Sequence, residues 1–65
     1  MKAKHAFVYK HEGYTCKVGV EAEGALYILN DSVSGCLAIH IADRINESKT
    51  FDRSRFSSIS ELFSE

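Results

Sequence analysis

A chain of 65 residues with a net charge of −1 has room for one domain, residues 1–65, and little room for an enclosed pocket. Its charge balance gives no overall attraction to nucleic acid or to an anionic membrane. Its apolar fraction of 45% excludes a disordered chain. Residues 4–11 read as a first strand, with Phe7 and Tyr9 on one face and Ala6, Val8 and Lys10 on the other. Glu12-Gly13 marks a turn. In a second strand, residues 14–22, Cys16, Val18, Val20 and Ala22 alternate with Thr15, Lys17, Gly19 and Glu21, as half-buried strands do. Gly19 has no side chain to pack and signals a bulge or bend. Glu23-Gly24 is a second turn, and residues 25–29, apolar on both faces, read as a central third strand. Residues 30–35 have the composition of a loop.

Residues 37–43 decide the fold. As a strand, Leu37, Ile39 and Ile41 share one face, and Ala38, His40 and Ala42 the other. The alternative is a helix at about 33–47, with Leu37, Ile41 and Ile45 as its stripe and Ser32 as its N-cap. Ile39 lies off that stripe, Gly35 weakens a first helical turn, and the branched residues favour a strand. Residues 44–48 then become a polar hairpin connection and residues 49–52 a fifth strand. At the end of the chain Ser58-Ile59-Ser60-Glu61 fits a capping box, followed by the apolar Leu62 and Phe63. So short a helix must dock on something, either the chain's own sheet or a partner. The expected fold is mainly β, a five-stranded antiparallel sheet or small barrel with a short C-terminal helix. The alternative is α+β, a three-stranded sheet with a helix at about 33–47.

From Gly13 onward the pattern resembles the small SH3-like barrels encoded by bacteriophages and prophages. The tail carries the likeness most clearly: a strand ending near Phe51-Asp52, a tight turn with Ser54-Arg55-Phe56, then a last apolar residue, Ile59. Ala25-Leu26-Tyr27 is also similar to the ALYDY signature of eukaryotic SH3 domains. Ile28-Leu29 replaces its Asp-Tyr, and the chain has no tryptophan, so recognition of proline-rich ligands is not implied. The phage resemblance implies an inhibitor or regulator of a host or defence complex.

The N-terminus lacks the apolar run of a signal peptide, and no stretch approaches the roughly 18 apolar residues of a spanning helix. A cytoplasmic protein without membrane partners is expected, with Cys16 and Cys36 as reduced thiols. Cys16, Cys36, His40 and either His5 or His11 supply zinc-type ligands but no pair at short spacing, so neither a metal nor another cofactor is expected. Cys36 and His40 lack an orienting acid at a recognisable spacing, and no glycine-rich phosphate loop occurs, so no enzyme is expected.

Charge is unevenly spread. Residues 1–20 hold four lysines against one glutamate, and residues 21–47 hold five acids against Arg44. The leading expectation is a protein–protein interaction module whose partner-facing residues are Glu21, Glu23, Asp31, Asp43, Glu47 and Phe63. Antiparallel connections are expected to gather some of these acids at one end of the sheet. Homodimerisation is a further expectation, because a small sheet leaves its edges open. The alternative is a small nucleic-acid-binding domain. Its surface would place Lys2, Lys4, Lys10 and Lys17 on phosphates and use Tyr9 and Tyr14 as stacking platforms.

Overall fold

The computed structural model describes residues 1–59, and of residues 10–12 the backbone alone. Strands β1 (His5–Glu12) and β2 (Thr15–Ala22) pair antiparallel, with Phe7 opposite Gly19, Val8 opposite Val18 and Tyr9 opposite Lys17. Glu23 and Gly24 follow with φ of 51° and 74°, the two left-handed residues of a type I′ hairpin turn. They return the chain into β3 (Ala25–Leu29), which sets Tyr27 opposite Val20 and Leu26 opposite Glu21. Strand β4 (Val33–Ser34) pairs with Cys16 and Thr15, further back along β2 than the stretch that β3 occupies. Strand β5 (Phe56–Ser58) completes an antiparallel sheet of order β1-β2-β3-β5, with β4 beside β2. The fold is mainly β, a five-stranded antiparallel sheet with a helix, and among the described residues its outer strands are β1 and β5.

The segment expected as a strand at 37–43 is instead part of helix α1 (Gly35–Ser48), as in the α+β alternative. The polar connection expected at 44–48 is its second half. Ser34, not Ser32, caps it: the Ser34 hydroxyl accepts from the Leu37 N–H at 3.3 Å. The buried stripe is Ala38, Ala42 and Ile45, with Ile41 half-buried beside them, the i, i+3, i+4, i+7 spacing of a helix face. The alternation therefore misleads for a definite reason. Its alanines, which look like the weak outer face of a strand, are the face that packs. Leu37 and Ile39, which look like the strong face, are 46% and 56% exposed.

The fifth strand is also displaced. Lys49 stops the helix in the left-handed region, φ 61°, and its N–H donates to the Ile45 carbonyl at 2.7 Å. Of the expected strand at 49–52, only Thr50 makes a bridge, with Lys2. Phe51 turns into the core, 5.5 Å from the Tyr27 ring and 5.2 Å from the Phe56 ring. The Phe51 N–H donates to the Met1 carbonyl at 2.9 Å and the Ala3 N–H to the Lys49 carbonyl at 2.8 Å, tying the two segments together. A 3-10 turn, Arg53–Arg55, leads into β5 and is capped by Asp52, whose carboxylate accepts from the Ser54 N–H at 3.1 Å. The hydrogen bonds from Ser54 hold the Asp52 carboxyl below its ordinary pKa. Ser58 ends β5, while residues 60–65, and with them the expected C-terminal helix and Phe63, lie outside the described residues.

The core lies between α1 and one face of the sheet, where Ala6, Val18, Val20, Tyr27 and Leu29 are buried. The helix is locked to the β1 edge by Asn46. Its side-chain carbonyl accepts from the Ala6 N–H at 2.7 Å, and its amide donates to the Ala6 carbonyl at 2.9 Å. On the opposite face Phe7 lies over Gly19, where a Cβ would stand 2.5 Å from the Phe7 ring. Gly19→Ala is expected to destabilise the fold by about 1–3 kcal/mol through overpacking. In a Phe7→Ala background the same substitution should cost little. Urea unfolding of the double-mutant cycle measures this, and additive costs would contradict the contact.

Candidate functional site

Because β1, β2 and β3 alternate in phase, the residues that do not face α1 share one surface. Across the strands it reads Tyr9–Lys17, then Phe7–Gly19–Ile28–Ser57, then His5–Glu21–Leu26. Along β1 the rings of His5, Phe7 and Tyr9 form a ladder, with centroids 6.1 and 6.4 Å apart. Gly19 makes this possible: without a side chain, it lets the Phe7 ring lie down across β2. A shallow depression of about 300 Å³ between Phe7, Leu26 and the β2–β3 turn continues the apolar surface. Tyr9 is half-buried, and that burial raises its hydroxyl pKa above the ordinary value.

The charges around this face are few. Lys17 stands opposite Tyr9, and its ammonium donates to the Asn30 carbonyl at 3.4 Å. Lys4 lies 4.0 Å from the Glu21 carboxylate, both well exposed, a pairing of small energetic weight. Lys2 is exposed and its backbone bridges Thr50; Lys10 sits in β1 opposite Cys16. Tyr14 does not join the ladder. It projects from the β1–β2 turn, 99% exposed.

The five acids are all exposed, but they do not form a band. Glu21 and Glu23 lie at the β2–β3 turn, whereas Asp31 follows β3 and so lies at the opposite end of the sheet. Asp43 and Glu47 stand on α1, in the layer behind. Antiparallel pairing separates the two ends of β3, which is why these turn regions do not converge.

The thiols differ. Cys16 is half-buried against the core, and Cys36 is exposed near the start of α1. Among the described residues no three His, Cys, Asp or Glu side chains cluster to hold a metal ion. No helix among them is long and apolar enough to cross a membrane.

His5, Phe7 and Leu26 belong to this surface, and the buried Ile28 to the same face, but none is among the site residues expected from sequence. Their shared phase along β1 and β3 was the available signal. It acquires meaning only once α1 is known to cover the other face.

A thiol reagent at neutral pH should modify Cys36 well before Cys16, as read by mass spectrometry of partly labelled protein. Equal rates would contradict the difference in burial.

Compared with known protein families, with curated proteins and with solved structures, the chain matches none.

Proposed function

We propose that this chain is a non-catalytic protein–protein interaction module that presents the helix-free face of its sheet together with the β1 edge. The observation that carries this reading is the His5–Phe7–Tyr9 ladder, flanked by the half-buried Leu26, on the face turned away from α1; Ile28, on the same face, is buried and supports it from beneath. Rigid aromatic anchors supply most of the energy of protein interfaces, whereas rim charges chiefly set association rate. The β1 edge adds a second device. Ala6 has its outward backbone groups closed by Asn46, while Val8 shares its phase, so its groups point away from β2, where strand addition would meet them. Glu21 and Glu23 form the acidic rim at one end of this surface. The phage-like resemblance extends the reading to a host or defence complex as the partner class, with the chain as its inhibitor or regulator.

The second reading is a single-stranded nucleic acid stacked on Phe7 and Tyr9 with Lys4 and Lys17 on its phosphates. The ladder favours it, since base–aromatic stacking contributes about 1–3 kcal/mol per base. The neighbouring Glu21 and the net charge of −1 oppose it.

Affinity capture from the source cell with identification by mass spectrometry supplies the partner, and surface-plasmon kinetics tests the surface. Tyr9→Ala is expected to raise the dissociation rate at least tenfold with its melting temperature checked. Glu21→Lys with Glu23→Lys is expected to change the association rate and its salt dependence. A captured partner indifferent to Tyr9→Ala overturns the assignment of this face. Oligothymidylate binding that weakens steeply from about 50 to about 200 mM salt, and is lost in Tyr9→Ala and Lys17→Ala, replaces the first reading with the second.

A further inference from the structure

The sheet is four strands wide, but α1 packs on β1 and β2. Over β3 and β5, among the described residues, Phe51 packs in the same layer against Tyr27 and Phe56. Between the helix and residues 50–56 lies an open groove of about 440 Å³. Its floor is apolar, formed by Leu29, Ile41 and Phe56, and its rim carries Arg44 from the helix and Arg55 from the 3-10 turn. The volume is that of an ordinary small-ligand site.

The charge of the rim selects the ligand. Asp52 and His40 also line the groove; the Asp52 carboxylate is engaged by the Ser54 N–H and hydroxyl, at 3.1 and 2.7 Å, and offsets part of the Arg55 charge. Arg44 has no ion-pair partner among the described residues. Two guanidiniums against one carboxylate leave about one positive charge at the rim, matched by a monoanion rather than a dianion. Guanidinium groups bind carboxylates through paired N–H donors.

We propose that this groove binds a single-chain aliphatic carboxylate, its hydrocarbon on Leu29, Ile41 and Phe56 and its head between Arg44 and Arg55. The site lies on the helix side of the sheet and does not depend on the interaction surface proposed above. The apolar floor supplies affinity through burial of the chain, and the rim orients the head and rejects cations.

The test titrates the full chain with dodecanoate below its micelle concentration, by calorimetry and by amide chemical-shift mapping. Saturable one-to-one binding with shifts confined to the groove is expected. Arg44→Gln and Arg55→Gln should each weaken it about tenfold; both side chains are exposed, so melting temperatures should hold. Arg44→Lys, which keeps the charge but not the fork, should fall between and serves if either Gln variant misfolds. Dodecyltrimethylammonium should not bind. Equal affinity for the cation, or unchanged affinity in both Gln variants, would reduce the site to nonspecific apolar adsorption and overturn the proposal. So would dodecanoate binding that appears only in Phe63→Ala, which would assign the groove to the chain's own residues 60–65. A dimer in sedimentation that Arg44→Glu dissociates would assign it to a second copy, with the same consequence.

Discussion

The pair of hydrogen bonds between Asn46 and Ala6 joins residues 40 positions apart and fixes where the helix sits on the sheet. The Asn46 amide imitates a neighbouring strand: it accepts from the Ala6 N–H and donates to the Ala6 carbonyl. One side chain thereby satisfies two edge groups of β1 and stops the outer strand from pairing there. Each such bond contributes about 0.5–1.5 kcal/mol net, a sizeable share of the stability of so small a domain. Ala38 and Ala42 are the steric counterpart. Small residues on the buried stripe allow a close helix–sheet seat, with Val18 and Val20 fully buried.

Everything proposed about function follows from that seat. Because α1 is drawn to the β1 edge, it covers β1 and β2 on one side and leaves the other side of the sheet to the His5–Phe7–Tyr9 ladder. Because one helix cannot cover four strands, a groove remains over β3 and β5. The two surfaces differ in chemistry: the first is aromatic with mixed charges, the second aliphatic with a cationic rim. A partner protein suits the first and a small amphiphilic anion the second.

The first three strands were legible in the sequence because their signals were local. Period-two alternation from Cys16 to Ala22 and the Glu23-Gly24 turn do not depend on tertiary context, and the first turn falls one residue later than expected, at Gly13-Tyr14. The helix was misread because Leu37, Ile39 and Ile41 satisfy a strand pattern, and because alanine has no size by which to mark a buried face. What decides between the two is whether Ala38 and Ala42 meet a sheet, a fact that resides in β1 and β2. Phe51 and Phe56 were exchanged for a related reason. Lys49 takes a left-handed conformation that residue type does not announce, and this turns the chain so that the next strand begins later. Of the candidate site, Tyr9, Lys4, Lys17 and Glu21 were legible as a lysine–aromatic and acidic surface. Of the five acids, Glu21 and Glu23 share the β2–β3 turn, whereas Asp31 lies across the length of β3 from them.

Native-state amide hydrogen exchange at Ala6 tests the central claim most directly. Ala6 lies on an edge strand with its N–H pointing away from β2, the same phase as Val8. If Asn46 holds the helix to this edge, the Ala6 amide is strongly protected while that of Val8 exchanges fast, and Asn46→Ala brings Ala6 to the Val8 rate. An Ala6 amide that exchanges as fast as Val8 in the unaltered protein would contradict the account.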